Sequence, residues 1–157
     1  MNNRTVENIL RSDQRTARLF DGIYPVDMLP VRIKFPSYII VNTSKSTVYN
    51  GHWVLIYFKS FDNVLFFDSF GRDHSIVNNG YILQRYLDKY SIKFNKFVLQ
   101  SRFSNVCGYY CLYVAFYLCR NVLFNDMFSM FTKDVYYNDG LIIQETKRLY
   151  QLNHLLY

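Results

Sequence analysis

The sequence predicts a single domain with an α+β fold, in which a β-sheet packs against helices. The chain has 157 residues, of which 50% are hydrophobic and 19% are charged; this composition excludes a disordered chain and is enough for one substantial core. Short runs rich in β-branched and aromatic residues predict strands, and a run over residues 107–123 that is apolar nearly all round predicts a buried helix. Because polar residues interrupt the apolar runs, we expect no membrane-spanning segment. We therefore treat residues 1–157 as one domain.

Charge and cysteine content indicate the compartment. The chain carries 18 Lys and Arg against 12 Asp and Glu, a formal net charge of +6, which suits either ordinary solubility or contact with a polyanion such as DNA. The three cysteines, Cys107, Cys111 and Cys119, lie in one segment, so a disulfide framework is not expected. The first thirty residues contain no apolar signal core. These features predict an intracellular protein with reduced thiols.

The N-terminal segment predicts one helix followed by a loop. Apolar positions over residues 5–20 recur at a partly helical spacing, with arginines on the other faces, which indicates a basic amphipathic helix. A glycine and three prolines between residues 22 and 36 then predict an irregular loop that ends near Ser37.

Three strands are predicted next, over residues 38–41, 53–58 and 64–67. A polar stretch, residues 59–63, separates the last two and predicts a hairpin loop. Because these strands are hydrophobic almost continuously rather than alternately, we expect the sheet to be covered on both faces.

The second half of the chain predicts three helices and a further strand. Helical spacing over residues 76–90 predicts a helix, and the imperfect alternation over residues 92–99 predicts a strand. The apolar run that starts at Cys107 predicts the buried central helix. Asp139 stands before the final amphipathic stretch, so it is the expected N-cap of the last helix.

Three short motifs carry groups suited to nucleophilic catalysis. They are Gly51-His52-Trp53 at the start of one strand, Phe67-Asp68-Ser69-Phe70-Gly71 at the end of the next, and Gln100 seven positions before Cys107-Gly108. A thiol attacks a carbonyl only as the thiolate, and a helix N-terminus or a neighbouring imidazolium lowers its pKa. Because Cys107 opens the predicted buried helix, the motifs predict a cysteine nucleophile there.

The predicted hairpin brings the histidine and the aspartate together. If the strands over residues 53–58 and 64–67 pair as a hairpin, the start of the first lies beside the end of the second, so His52 and Asp68 are neighbours. The imidazole then takes the Cys107 proton as base, while Asp68 orients the ring and stabilises its cation. Two alternative carboxylates lie less favourably, Asp62 in the hairpin loop at the far end and Asp73 beyond the turn.

Further residues around the nucleophile have supporting roles. We expect the Gln100 amide to donate to the oxyanion of the tetrahedral intermediate, together with a backbone N–H near Cys107. We expect Trp53 to form a wall beside His52, and Gly108 to leave room for close approach of a substrate. Trp53 and Gly108 are thus the candidate substrate-binding residues.

At these residues the chain resembles the adenovirus-type cysteine endopeptidases, the adenain family, which share a clan with the proteases that process ubiquitin-like proteins. The matching residues are, in order, Val41-Asn42-Thr43, Gly51-His52-Trp53, Phe67-Asp68-Ser69-Phe70-Gly71, Gln100 and Cys107-Gly108-Tyr109-Tyr110-Cys111. The resemblance covers residues 24–123. Compact versions of this kind look like those of adenovirus-related DNA viruses and of large DNA transposons that encode capsid proteins.

The resemblance implies a papain-like fold, with a central mixed sheet flanked by helices and the nucleophile at the N-terminus of a buried helix. It implies His52 as base, Asp68 as orienting residue, Gln100 as oxyanion donor and Cys107 as nucleophile. The implied protein is a monomeric thiol endopeptidase that cuts viral capsid or core precursors after small residues such as glycine. Its implied location is the virion or the host nucleus.

The resemblance also bears on activators. The sequence itself requires no cofactor, but the family uses viral DNA and a short viral peptide as activators. The cysteine through which the family links that peptide has no evident match here. The candidate DNA contacts are Arg4, Arg11, Arg15 and Arg18, although a solvated helix face explains these residues equally well.

Two other functions stay open. One is a deconjugating protease that acts on ubiquitin-like modifiers. The third triad residue is often glutamate in the adenovirus enzymes and aspartate in the ubiquitin-like-protein branch, so Asp68 does not decide between them, whereas the Gln-to-Cys spacing favours the viral branch. The other is a basic nucleic-acid-binding module without enzymatic activity, in which the cysteine and the histidine are core residues.

Zinc binding is the alternative chemistry for the cysteines. Cys111 lies one helical turn after Cys107 and makes a two-cysteine face to which His52 or His74 could add a ligand. Because the C-x3-C spacing lacks a second pair of ligands, we expect no metal site. We expect His74 and His154 at the surface.

Overall fold

The computed structural model describes residues 1–152, so His154 lies outside the described part of the chain. The elements, in chain order, are α1 (Asn3–Ser12), α2 (Gln14–Leu19), β1 (Phe20–Pro25), β2 (Ser37–Asn42), β3 (Trp53–Ser60), β4 (Asn63–Phe67), α3 (Gly80–Leu87), β5 (Ile92–Phe94), α4 (Cys107–Leu118), a 3-10 helix (Asp126–Phe128) and α5 (Val135–Leu149).

The strands form one mixed sheet in the order β1-β2-β3-β4-β5. β2, β3 and β4 pair in antiparallel fashion, whereas β1 runs parallel to β2 and β5 runs parallel to β4. Parallel neighbours need a crossover connection, and α3 lies in the one between β4 and β5. The structure is therefore an α+β fold with a mixed sheet flanked by helices, as the sequence predicts.

Both faces of the sheet are buried, which confirms the expectation from the continuous hydrophobicity of the strands. Leu55 of β3 belongs to a hydrophobic cluster that includes Val114 of α4. The adjacent Val54 faces the other way and belongs to a second cluster with Leu83 of α3. Because side chains alternate along β3, one strand supplies both cores.

The N-terminal helix is divided in two at Asp13, which corrects the expectation of one helix over residues 5–20. Asp13 has an extended backbone conformation, and its carboxylate accepts the N–H of Thr16 at 2.9 Å, so it caps α2. Asp at a helix N-cap competes with continuation of the preceding helix, because its side chain satisfies the N–H groups that begin a new one.

Strand β1 occupies part of the segment predicted as a loop, which is a second correction. It pairs in parallel with β2, from Phe20 opposite Tyr38 to Pro25 opposite Asn42, with an irregularity before Gly22. Glycine and proline disfavour a strand locally, but β1 lies at the edge of the sheet, where proline is tolerated. Pairing with β2 therefore outweighs the local preference.

β2, β3 and β4 lie where the sequence predicts strands, but the hairpin loop and the segment after β4 differ from the prediction. Ser60 pairs with Asn63, so the hairpin loop contains two residues rather than five. β5 ends at Phe94, well before residue 99, because the chain turns at Asn95, whose side chain binds the backbone of Asp68. α3 covers the central part of the helix predicted over residues 76–90.

The last two helices differ in how well they were predicted. α4 begins at Cys107, as expected, and ends at Leu118. α5 begins after Asp134, whose carboxylate accepts the backbone N–H groups of Tyr136 and Tyr137, so Asp139 is not its N-cap. Asp139 instead lies buried inside α5, where it accepts the N–H of Ser101 at 3.1 Å. Among residues 1–152, no helix has the length and apolar character needed to cross a bilayer.

Candidate active site

His52 and Asp68 lie side by side at one end of the sheet. His52 directly precedes β3 and Asp68 directly follows β4, and these strands are antiparallel neighbours. The Nε2 atom of His52 lies 2.5 Å from Oδ1 of Asp68. The Asp68 side chain is fully buried, whereas that of His52 is 15% exposed. The hairpin thus brings together the histidine and the aspartate that the sequence pairs.

Cys107 adds a thiol to this pair. It is the first residue of α4 and is half-buried. Since Asp68 engages Nε2 of His52, Nδ1 is the ring nitrogen left for the thiol. Burial by itself raises the pKa of Cys107, but hydrogen bonding and charge from His52, with the backbone N–H groups of Trp53 and Gly108, hold that pKa below its usual value. The dipole of α4, whose positive end lies at Cys107, acts in the same direction.

The same contacts set the charges of the histidine and the aspartate. Burial lowers the pKa of His52, but hydrogen bonds to Asp68 and Cys107 raise it above its usual value. Burial raises the pKa of Asp68, but hydrogen bonds from His52 and Arg72 bring it below its usual value. The three shifts favour a thiolate, an imidazolium and a carboxylate, which is the charge state that a nucleophilic thiol requires.

Two residues that hold Asp68 escape sequence analysis. Arg72 donates its Nε–H to Oδ2 of Asp68 at 2.7 Å. Asn95, buried just after β5, accepts the backbone N–H of Asp68 at 3.0 Å and donates to its carbonyl oxygen at 2.6 Å. The sequence feature that points to this turn is Gly71. Its φ is +67°, and a Cβ added there would lie 2.6 Å from the carbonyl oxygen of Phe97. The turn after Asp68 therefore requires glycine.

Gln100 is buried in the loop that leads to α4, and Ser69 orients its amide. The Ser69 hydroxyl donates to Oε1 of Gln100 at 2.6 Å, and the Ser69 carbonyl accepts the Gln100 backbone N–H at 3.1 Å. One Nε2 hydrogen of Gln100 goes to the carbonyl oxygen of Ser104 at 3.0 Å, which leaves the second hydrogen for another acceptor. Ser69 is a further residue that sequence analysis does not single out.

Trp53 and Gly108 pack directly against each other. A Cβ added at Gly108 would lie 2.7 Å from Cζ3 of Trp53. The room that the glycine leaves is therefore taken by the indole ring, which corrects the expectation that it stays open for a substrate. Trp53 is 8% exposed, and its indole N–H has no hydrogen-bond partner among the described residues. Its role as a wall beside His52 stays a prediction.

The other two cysteines differ from Cys107 in their surroundings. Cys111 is fully buried, with its Sγ 3.6 Å from the carbonyl oxygen of Trp53, and burial raises its pKa well above the usual value. Burial also raises the pKa of Cys119, to about 12. Across residues 1–152, no three His, Cys, Asp or Glu side chains are grouped so as to hold a metal ion.

The alternative carboxylates and the remaining described histidine have other positions. Asp62 is exposed in the hairpin loop. Asp73 accepts the backbone N–H of Ser75 at 2.8 Å and lies 3.3 Å from Nδ1 of His74. His74 is half-buried against the ring of Phe66, so it is less exposed than the sequence predicts.

The candidate DNA contacts are exposed and are divided between two helices, with Arg4 and Arg11 on α1 and Arg15 and Arg18 on α2. Arg11 also pairs with Glu7 of the same helix at 2.9 Å. These contacts are those of a solvated helix surface, and DNA binding stays a prediction.

Comparison with known proteins adds little about function. No protein-family model matches the sequence, and no curated protein matches it. Among solved structures, the chain is similar to the central domain of the uncharacterized Lpg1148 protein from Legionella pneumophila, with a TM-score of 0.43 and 12% identity over 85% of this chain and 87% of that one. Similarity at this level carries no functional argument, so any function rests on the geometry of the site and on the motifs.

Proposed function

We propose that the chain is a cysteine endopeptidase with Cys107 as its nucleophile. The observation that carries the proposal is the series of contacts from Cys107 to His52 to Asp68, in which the pKa of the thiol is lowered and that of the imidazole is raised. A thiol that serves only as a small buried hydrophobe has a raised pKa, as Cys111 does one turn further along the same helix.

The proposed reaction proceeds through an acyl-enzyme. The Cys107 thiolate attacks the carbonyl carbon of the scissile peptide bond, and the carbonyl π electrons move to the oxygen. The second Nε2 hydrogen of Gln100 and a backbone N–H at the start of α4 donate to that oxyanion. As the C–N bond breaks, the His52 imidazolium gives its proton to the leaving amine. A water molecule, deprotonated by His52, then hydrolyses the thioester and releases the thiol.

For the substrate, we propose capsid or core precursor proteins that are cut after small residues such as glycine, as the resemblance to the adenain family implies. The preference for small residues rests on that resemblance. DNA as an activator is part of the proposal.

The decisive experiment incubates the protein with candidate structural proteins from the same genome, with and without DNA, and maps cleavage sites by mass spectrometry. Cys107→Ala removes the proposed nucleophile, and Cys119→Ala removes a half-buried thiol at the C-cap of the same helix as a matched control. We expect cleavage after small residues by the wild type and by Cys119→Ala, and none by Cys107→Ala.

The other outcomes separate the alternatives. Equal cleavage by wild type and Cys107→Ala would assign the activity to another residue or to a contaminant and overturn the proposal. Cleavage of ubiquitin-like fusions, with none of capsid precursors, would retain the nucleophile and replace the substrate class. Salt-dependent DNA binding that survives Cys107→Ala, with no proteolysis of any substrate, would identify a nucleic-acid-binding module instead.

A further inference from the structure

Arg72 contacts the buried carboxylate of Asp68 but takes no part in the chemistry proposed above. Its Nε–H donates to Oδ2 of Asp68 at 2.7 Å, while His52 is bound to Oδ1. The Asp68 side chain is fully buried, whereas that of Arg72 is 34% exposed. A cation at the protein surface thus reaches the carboxylate oxygen that the imidazole does not use.

A second contact links Arg72 to the histidine through an aromatic ring. The guanidinium carbon of Arg72 lies 4.9 Å from the centroid of the Phe70 ring. The Phe70 ring centroid lies 4.7 Å from that of His52, with an angle of 31° between the ring planes. The backbone N–H of Phe70 also donates to Oδ1 of Asp68 at 3.0 Å. Arg72, Phe70, Asp68 and His52 therefore form one connected group.

The backbone of the turn holds Arg72 close to Asp68. The N–H of Gly71 donates to the carbonyl oxygen of Asp68 at 2.8 Å, and Gly71 has a positive φ of 67°. A side chain at position 71 would collide with the backbone of Phe97. The turn therefore folds residue 72 back towards residue 68, and this pairing does not depend on a helix.

We propose that Arg72 is a positioning residue for the candidate active site: it holds Oδ2 of Asp68 so that Oδ1 faces His52, and its positive charge offsets part of the charge that Asp68 presents to the imidazole. This inference rests on the proposed function. The charged and titratable groups in this contact series are Arg72 and Asp68 on the turn after β4, His52 before β3, and Cys107 on α4. Arg72 acts on Cys107 through Asp68 and His52.

Two substitutions separate the charge of Arg72 from its geometry. Arg72→Gln removes the charge but keeps an amide donor, and Arg72→Lys keeps the charge but loses the planar guanidinium and its Nε–H. The measurement is the pH dependence of Cys107 alkylation by iodoacetamide, with the labelled residue identified by mass spectrometry. Thermal unfolding of each variant is measured in parallel.

Loss of a cation raises the pKa of each neighbouring group, because both the thiolate and the carboxylate lose a favourable interaction and the imidazolium loses an unfavourable one. We therefore expect Arg72→Gln to shift the pH range of Cys107 alkylation upwards by about half a unit or more. We expect Arg72→Lys to keep the wild-type pH range but to react more slowly, since a lysine holds the carboxylate less rigidly.

Arg148 of α5 provides a matched control away from the site. Its Nε also donates to a carboxylate, that of Glu145 at 3.0 Å. Arg148→Gln is expected to leave the pH profile of Cys107 unchanged. A purely structural role for Arg72 would lower the unfolding temperature of Arg72→Gln without moving that profile.

The results that overturn the inference are distinct from those that overturn the proposed function. If wild-type Cys107 reacts selectively and the Arg72→Gln profile superimposes on the wild-type one, Arg72 has no positioning role. If the Arg72→Lys profile shifts as far as that of Arg72→Gln, the assignment to charge is wrong. Should Arg72→Gln fold poorly, the comparison of Arg72→Lys with wild type still tests the assignment, because a shifted profile in a variant that keeps the charge contradicts it. If wild-type Cys107 does not react selectively at all, the proposed function itself fails.

Discussion

The hydroxyl of Ser69 donates a 2.6 Å hydrogen bond to Oε1 of Gln100, and both side chains are buried. Ser69 directly follows Asp68, and Gln100 lies in the loop that precedes Cys107. A single hydrogen bond therefore joins the turn that carries the orienting aspartate to the loop that carries the proposed oxyanion donor. Because the Ser69 hydroxyl binds Oε1, the NH2 group of Gln100 points away from Ser69.

This geometry predicts that Gln100→Ala lowers kcat of the proposed peptidase reaction by about 100-fold or more, since the proposed oxyanion donor is lost. Alkylation of Cys107 should continue at the wild-type rate, because alkylation builds no oxyanion. Ser69→Ala should give a smaller loss of kcat with the same unchanged alkylation. Gln84→Ala, at an exposed position on α3, serves as control in both assays. Equal losses of kcat and of alkylation in Gln100→Ala would contradict the oxyanion role.

The pKa differences among the three cysteines predict selective alkylation near neutral pH. The pKa of Cys107 is lowered, so its thiolate forms as pH rises through a value below that of an ordinary thiol. Burial raises the pKa of Cys111 and Cys119, the latter to about 12, so both should stay unlabelled in the folded protein. Peptide mapping after labelling between about pH 5 and 10 measures the three profiles. Labelling of Cys119 at the same pH as Cys107 would argue against an activated thiol.

Replacement of glycine by alanine is predicted to have opposite effects on stability at two positions, because Trp53 packs on Gly108 whereas the space beside Gly140 is open. Gly108→Ala places a Cβ 2.7 Å from Cζ3 of Trp53, and overpacking of this kind costs about 1–3 kcal/mol of unfolding free energy. Gly140 lies inside α5 with no atom within 4 Å of an added Cβ. Gly140→Ala should therefore stabilise the protein by about 0.5–1 kcal/mol.

Urea unfolding measures both free energies, and peptidase assays separate their consequences. Because Gly108 is adjacent to the proposed nucleophile Cys107, Gly108→Ala should also slow the proposed peptide cleavage, whereas Gly140→Ala should leave its rate unchanged. Wild-type stability and activity in Gly108→Ala would show that the indole moves away at no cost, and that Trp53 does not act as a fixed wall.

The ion pair between Asp13 and Arg120 predicts a pH-dependent contribution to stability. An Arg120 guanidinium nitrogen lies 2.6 Å from Oδ2 of Asp13, which also caps α2. Burial raises the pKa of Asp13, but the hydrogen bonds from Arg120 and from the Thr16 N–H bring it below its usual value. Because the folded pKa is lowered, this stabilisation is present above the pKa of the unfolded chain and is lost as pH falls through the folded value.

Asp13→Asn keeps an oxygen acceptor for the cap but removes the charge. We expect Asp13→Asn to lower the free energy of unfolding by about 1 kcal/mol at pH 7 and by much less at about pH 3. The free energies come from urea unfolding at the two pH values, with Asp62→Asn in the exposed hairpin loop as control. An equal loss at both pH values would assign the effect to the cap rather than to the ion pair.

The positions of the reactive residues are predictable because each stands at the end of an element with a strong local pattern. The hydrophobic strand β3 begins directly after His52, β4 ends directly before Asp68, and the all-round apolar helix begins at Cys107. A hairpin connects its two strands by the shortest route, so the proximity of His52 and Asp68 follows from local topology.

The groups that support those residues are not predictable in the same way. Asn95 binds Asp68 across 27 residues of sequence, and Gln100 binds Ser69 across 31. Judged from the neighbouring residues in sequence alone, Asn95 and Gln100 are each a polar residue beside a turn, and such residues are usually solvated. The same reasoning applies to Arg72, which is four residues from Asp68 but outside any helix.

By itself, the sequence determined three strands of the sheet, the buried α4 helix and the order of the reactive side chains, because hydrophobic periodicity and local propensity act over a few residues. Only the tertiary structure decided that β1 is a strand, that the first helix ends at Asp13, that Asp139 is buried within α5 and that Arg72 reaches Asp68. These features depend on contacts between separate segments of the chain, and the free energy of such contacts is not encoded in any one window of sequence.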